Sequence, residues 1–316
     1  MSIAILGAGK ALGSVVQPNW EVEDLAGQPR GWVLEKTGIT QRHLAGPGET
    51  TSSLALDAAQ KAIEQAGIDR REIGLVVCCT FANDYLFPSL AARLHRDLAL
   101  SPECFVLDIQ QNCSGFLAAL VMVNDRMNAD PSIKYALIVG AEVLSPFIDP
   151  TDQNTAPFFS DGAGAVVIHN DSEDRDSSEY GLRSSAFTMD TSSYEAVRCL
   201  RGRVIEQAGL VTWKLAVKRL PGVIRTAVER AGWTIDEVDV FLPHQANLVL
   251  LEFLASRLGW KDKLYTTVAT NANTGSASVG CAINDAMEAG VLVPGKKVVL
   301  AGIGAGFSFG AVCFET

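Results

Sequence analysis

Three short segments carry residue types that can do covalent chemistry. The first is Asp108-Ile-Gln-Gln-Asn-Cys113-Ser-Gly-Phe-Leu-Ala-Ala-Leu, where an apolar strand ends, a polar turn follows and a long apolar helix begins just after the cysteine. A thiol at a helix start faces unpaired backbone N–H groups and the positive end of the helix dipole. Such surroundings favour the thiolate, which is the reactive form. The plain alternative is a small buried hydrophobe, the usual fate of a cysteine. The second segment is Phe241-Leu-Pro-His244-Gln-Ala-Asn247, in which a histidine follows a buried strand and can project from a rigid scaffold into a cleft. A hydrogen-bonded core histidine fits the same pattern. The third, Thr270-Asn-Ala-Asn273-Thr-Gly-Ser-Ala-Ser, is a polar loop of small residues opening a helix from Ser278. Taken alone, it reads as cap and turn chemistry.

The elements that must position these side chains follow from hydrophobic periodicity. Short apolar runs alternate with helical patterns, the signature of an α/β protein whose strands are buried on both faces. Strands are expected at 73–79, 104–108, 135–139, 163–168, 238–242, 297–301 and 310–314, and helices at 53–66, 88–98, 114–128, 213–231, 247–258 and 278–289. The sequence also echoes itself. Ala62-Ile-Glu-Gln-Ala-Gly, running through Glu72 into an apolar strand, recurs as Ala227-Val-Glu-Arg-Ala-Gly, running through Glu237 into another, with five identities in one register. A constant offset over helix, glycine and strand points to duplication. The halves expected are 1–170 and 171–316, joined through the very polar stretch Asn170–Glu179, which reads as a solvated loop.

Composition removes several classes of function. A chain of 316 residues that is 48% hydrophobic can bury a large core. Its net charge of -10 argues against general nucleic-acid binding. The first residues have no basic flank before their apolar run, so no signal peptide is expected, and no apolar run approaches the roughly eighteen residues of a membrane span. The seven cysteines are odd in number and lie mostly in apolar segments, which suggests reduced thiols in a cytoplasm; Cys78-Cys79 reads as strand packing. No spacing suits a metal, and no cofactor is expected. Gly7-Ala-Gly9-Lys-Ala-Leu-Gly13 looks like a phosphate loop, but Gln17-Pro18-Asn19 leaves no room for the helix whose N-terminus would hold the phosphate. His43, His95 and His169 read as structural.

The three segments, in this order, resemble those of the β-ketoacyl-ACP synthase III family of thiolase-fold condensing enzymes. So do Lys36-Thr-Gly-Ile-Thr-Gln-Arg-His43, Phe87-Pro-Ser, Asp149-Pro-Thr-Asp, Asp161-Gly-Ala-Gly-Ala and Gly304-Ala-Gly-Phe-Ser-Phe-Gly. The resemblance runs from about Ile3 to Phe314 with nearly constant spacing. It implies a thiolase-like fold, two pseudo-repeated halves layered α-β-α-β-α. It also implies a catalytic Cys113–His244–Asn273 combination. The oxyanion hole of the acyl-cysteine would be the backbone N–H groups of Cys113 and Ala305, and the expected substrate contacts are Trp32, Phe87, Asn247, Gly304 and Gly306. On this resemblance Cys113 takes an acyl group from a thioester, a malonyl thioester loses carbon dioxide, and His244 and Asn273 hydrogen-bond the resulting enolate. The partners implied are acyl-CoA or acyl carrier protein, with no nucleic acid and no membrane. The chain is expected to form a homodimer in which Phe87 reaches the partner's acyl pocket through the apolar stretch Tyr85–Ala91.

The entrance departs from the family. Trp32 matches the residue on which relatives stack the CoA adenine, but Lys36 and Gln153 stand where arginines are usual, and Lys cannot reproduce a planar guanidinium. Leu210 replaces an Asn that hydrogen-bonds the pantetheine arm, and Val249 a basic residue used in carrier docking. These changes point to a priming donor other than that of housekeeping fatty-acid initiation, as in polyketide or other secondary metabolism. Lys214, Lys218, Arg219, Arg257, Lys261 and Lys263 offer positive charge to an acidic carrier protein, or are an ordinary solvated surface. Two rival readings are an acyltransferase that moves the Cys-bound group to an alcohol or amine, and a silent subunit of a heterodimer. Asn273 argues against the former, and retention of all three polar residues against the latter.

Overall fold

The computed structural model describes residues 3–170 and 180–316. In chain order the first part runs β1 (Ile3–Leu12), β2 (Val15–Pro18), α1 (Asn19–Leu25), α2 (Trp32–Thr37), β3 (Gln41–Leu44), α3 (Thr51–Ala66) and β4 (Ile73–Cys79). It continues with α4 (Leu90–Asp97), β5 (Phe105–Ile109), α5 (Gly115–Ala129), β6 (Tyr135–Glu142) and β7 (Gly162–Asn170). The second part comprises β8 (Gly181–Met189), β9 (Val197–Cys199), β10 (Ile205–Gln207), α6 (Gly209–Arg230), β11 (Val240–Pro243) and α7 (Leu248–Leu258). It ends with α8 (Val268–Asn271), α9 (Ser278–Glu288), β12 (Lys297–Gly304) and β13 (Ser308–Glu315).

Two mixed sheets form the scaffold, ordered β1-β7-β6-β4-β5 and β8-β13-β12-β11. Strand for strand the second order repeats the first four positions of the first. The echo seen in the sequence falls on equivalent places, the end of α3 leading into β4 and the end of α6 leading into β11. The strands are apolar on both faces because each sheet is covered twice. Leu137 and Val139 of β6 face α3 and α4, whereas Ala136 and Ile138 face α5 and α9. In β12, Val298 and Leu300 face α5 and α9, and Val299 and Ala301 face α6 and α7. The layers are therefore helix, sheet, helix, sheet, helix, a thiolase-type architecture.

The glycine run near the N-terminus is strand β1, paired antiparallel with β7. A Cβ on Gly9 would lie 2.1 Å from the carbonyl oxygen of Ala58, and one on Gly7 2.4 Å from that of Ala62. These glycines let α3 lie directly on the strand, and no phosphate loop is formed. Cys79 and Cys78 pack into the central and outer layers respectively, as strand packing requires. Of the connection expected over 170–179, Asn170 ends β7 and the remainder lies outside the described residues. No helix among the described residues is long and apolar enough to cross a membrane.

Candidate active site

Each chemical segment sits where a strand or short helix stops. Cys113 lies in a single 3-10 turn, Asn112–Ser114, between β5 and α5. The turn is tight because Asn112 adopts φ 48°, a region open to Asn more than to most side chains. Beneath it the buried Ser114 hydroxyl donates to the Gln111 carbonyl at 2.9 Å and meets the Ser308 hydroxyl at 2.6 Å. His244 directly follows β11, and its N–H donates to the Ala301 carbonyl at 2.7 Å, so the ladder to β12 continues through it. Gln245 anchors the next residues, donating to the Pro243 carbonyl and accepting from the N–H groups of Thr267 and Val268. Asn273 follows α8 after Ala272, another non-glycine residue at positive φ (53°). Its Oδ1 accepts from the Gly275 N–H at 3.0 Å, which leaves the NH2 end of the amide as the available donor.

The fold brings Cys113, His244 and Asn273 to the wall of one cavity of about 400 Å³, together with Asn247, Gly304 and Ala305. Phe158, Phe159, Phe307 and Trp213 supply apolar wall. Gly304 is forced to be glycine, since a Cβ there would sit 2.7 Å from the Gln111 carbonyl oxygen. Asn247 caps α7 through the Leu250 N–H while also facing the cavity. Trp32, Phe87 and Gly306 do not line it. Phe87 stands 84% exposed on the surface, Gly306 adopts φ 121° between the lining residues Ala305 and Phe307, and Trp32 lies under the Lys36 side chain.

Electrostatics correct one expectation. Burial, followed by the charge of Glu142 once it is ionised, pushes the Cys113 thiol up to about 12, and the backbone N–H at the helix start, which acts the other way, does not offset them. Burial lowers His244 to about 4, so its ring is neutral at neutral pH, and among the described residues its Nδ1 has no hydrogen-bond partner.

Glu142 is the residue that motif reading missed. Fully buried at the end of β6, it accepts from the N–H groups of Phe81 and Ala82 and from the hydroxyls of Thr80 and Ser276. The available signal was an acidic residue inside the apolar run Ala136–Leu144. Asp108 and Asp161, by contrast, are structural: Asp108 accepts from the first N–H groups of α4, and Asp161 from those of Ala45, Leu144 and Ser145. Among the described residues no group of three or more His, Cys, Asp or Glu side chains is placed to hold a metal ion.

Family models for 3-oxoacyl-[acyl-carrier-protein (ACP)] synthase III match residues 107–186, and for its C-terminal part residues 228–316. The β-ketoacyl-[acyl-carrier-protein] synthase III of Shigella dysenteriae serotype 1 is 35% identical over 99% of both chains. The chain belongs to this family. It is an acyltransferase-class ketosynthase. The enzyme of the same description from Rhizorhabdus wittichii is 36% identical over 98% of both chains. Among solved structures, the Aquifex aeolicus synthase III superposes with a TM-score of 0.93 at 28% identity, covering 99% of this chain and all of that one. The priming β-ketosynthase of the R1128 polyketide biosynthetic pathway gives 0.92 at 27% identity, covering 99% and 96%.

At the mouth of this ketosynthase, Lys36 Nζ lies 4.5 Å from the centre of the Trp32 ring and donates to the Gln153 carbonyl at 3.2 Å. Burial lowers the Lys36 pKa, with the charge of Asp152 acting the other way. Leu210 lines the cavity yet is 68% exposed, so it marks the rim.

Proposed function

We propose that the enzyme joins an acyl thioester to a malonyl-type thioester by decarboxylative Claisen condensation, with the acyl group carried on Cys113. The observation that supports this most is the convergence of Cys113, His244 and Asn273 on one cavity. Because the thiol rests protonated, its attack on the thioester carbonyl needs a proton acceptor. The neutral His244 ring suits that role, returning the proton to the departing pantetheine sulfur. The backbone N–H groups of Cys113 and Ala305 receive the oxyanion. The malonyl thioester then loses carbon dioxide, and the enolate oxygen takes hydrogen bonds from a neutral His244 N–H and the Asn273 NH2. The enolate carbon attacks the acyl carbonyl, and Cys113 sulfur leaves as the thiolate, which takes up a proton from solvent to restore the thiol.

The partners on this reading are acyl-CoA or acyl carrier protein. Lys36 over Trp32, Gln153, Leu210 and Val249 favour a donor other than free acetyl-CoA, and hence a specialised pathway such as polyketide priming. Residues 1–170 would form the half bearing the nucleophile and 171–316 the half bearing His244 and Asn273, a division supported by the matching sheet orders. The exposed Tyr85, Leu86 and Phe87 support a homodimer, and the free cysteines suit a reducing cytoplasm. Intact mass after incubation with a panel of acyl-CoA and acyl-carrier thioesters tests the core of the proposal. One acyl adduct is expected on the wild-type chain and none on Cys113→Ala; loading of that variant at the wild-type rate would reject it.

A further inference from the structure

The nucleophile turn and the loop between β12 and β13 come from opposite halves of the chain, and three ties hold them together. At one flank Gly304 admits the Gln111 carbonyl, and at the other the Ser308 hydroxyl meets that of Ser114 at 2.6 Å. Between these flanks, the Asn112 amide Nδ2–H donates to the Ala305 carbonyl oxygen at 3.0 Å, across 193 residues of sequence. Phe307 is held from the other side, by paired backbone bonds to Asp190. Ala305 is therefore fixed toward Cys113 by one side chain, which is the immediate neighbour of the nucleophile. Fixing the carbonyl of a residue restrains its backbone torsions, and with them the direction of its own N–H.

We propose that Asn112 is a positioning residue whose amide bond to the Ala305 carbonyl sets the Ala305 N–H at its working distance from the Cys113 sulfur. This rests on the reading that Cys113 carries the acyl group and that the Ala305 N–H binds its oxyanion. Oxyanion stabilisation depends on donors fixed before charge develops, so a donor free to swing loses much of its effect. Asn112 has a second task, since it stands at positive φ. Glycine satisfies the backbone without supplying the amide, so Asn112→Gly separates the two tasks.

The test compares two reactions of the same thiol. Transfer of an acyl group from a thioester passes through an oxyanion, whereas alkylation by iodoacetamide is a direct displacement that forms none. Asn112→Gly should be acylated about 10- to 100-fold more slowly, with its alkylation rate unchanged. Asn112→Asp keeps the side-chain shape and tolerates positive φ, but sets an acceptor against the Ala305 carbonyl. Its added charge would also slow alkylation, so the second variant is Asn112→Ala, which removes the amide without a charge at a φ this chain also gives to Ala99 and Ala272. It should show the same split, and serves if the glycine variant fails to fold. Acylation of both variants at the wild-type rate overturns the inference, as does an equal slowing of both reactions, which marks a merely structural role. If Cys113→Ala still loads, the acyl-cysteine reading itself fails. If that variant is silent while Asn112→Gly loads normally, only the role of Asn112 fails.

Discussion

The Ser276 hydroxyl donates to the Glu142 carboxylate at 2.6 Å, joining the turn that follows Asn273 to the end of a strand 134 residues earlier. Two backbone N–H groups and the Thr80 hydroxyl complete the shell, and among the described residues Glu142 makes no ion pair. Desolvation outweighs these four donors and pushes the carboxyl up to about 8. The folded chain thus holds a proton on Glu142 that the unfolded chain has lost.

The stabilisation from that proton is fully present below about 4.5 and disappears as pH rises through about 8. Wild-type Tm should therefore fall more between those limits than the Tm of Glu142→Gln, which cannot ionise. Parallel Tm curves for the two proteins, followed by calorimetry, would contradict a neutral buried carboxyl.

On the proposed roles, Asn273→Ala should still acquire an acyl group on Cys113 at about the wild-type rate, whereas His244→Ala, lacking the proton acceptor, should acquire it more slowly. Both should release carbon dioxide from a malonyl thioester about 10²- to 10³-fold more slowly, the usual cost of losing an oxyanion donor. Carbon dioxide release and intact mass, read on one sample, separate the two steps. Condensation by both variants at nearly the wild-type rate would remove the enolate role.

The glycines of β1 bear on the fold itself. Gly9→Ala must force a methyl group to within 2.1 Å of the Ala58 oxygen, so α3 or β1 has to move. A loss of about 3 kcal/mol is expected in urea unfolding, in the range of severe overpacking. Gly222, inside α6 with no neighbour within 4 Å of an added Cβ, is the control. Gly222→Ala should stabilise by about 0.5–1 kcal/mol through helix propensity alone.

These cases also show what was legible in the residues. Strands such as Ile73–Cys79 announced themselves because both faces are buried, giving an unbroken apolar run. The edge strand Gly181–Met189 did not, since Arg183, Ser184 and Ser185 interrupt the pattern and much of it is only partly covered. The helices Asn19–Leu25 and Trp32–Thr37 are too short to show a period. That Cys113, His244 and Asn273 meet at one cavity was legible because each follows the end of an element that aims it. The raised pKa of the Cys113 thiol was not, because it comes first from burial, which only the folded chain supplies. Asn112 likewise gives no local sign of a partner as distant as Ala305.

The surface stretch Tyr85, Leu86 and Phe87 is 55%, 79% and 84% exposed, an apolar cluster of the kind that marks an interface. A dimer of this chain should cover it. Phe87→Asp should shift the mass in light scattering from dimer toward monomer and reduce acyl loading with it. A wild-type chain that is strictly monomeric and fully active would rule out the shared pocket.

The last prediction concerns the donor. A CoA adenine that stacks on Trp32 must first displace Lys36, whose ammonium lies 4.5 Å from the ring centre and is tied to the Gln153 carbonyl. The cation–π contact alone resists with about 0.5–2 kcal/mol. Gln153 brings no charge to a phosphate and is itself engaged by the Gln28 amide at 3.3 Å. Each missing charge-assisted contact costs about 1–3 kcal/mol where it is desolvated, and far less where it is exposed. Together these terms amount to a loss of one or more orders of magnitude in affinity for free acetyl-CoA. The KM for Cys113 loading by acetyl-CoA should thus lie well above that for a carrier-bound acyl group. The paired replacement Lys36→Arg and Gln153→Arg should narrow the gap by lowering the acetyl-CoA value, leaving the carrier-bound value in place. If the wild-type chain loads from acetyl-CoA as readily as from any carrier thioester, the specialised donor is wrong. Its place would then be ordinary initiation of fatty-acid synthesis.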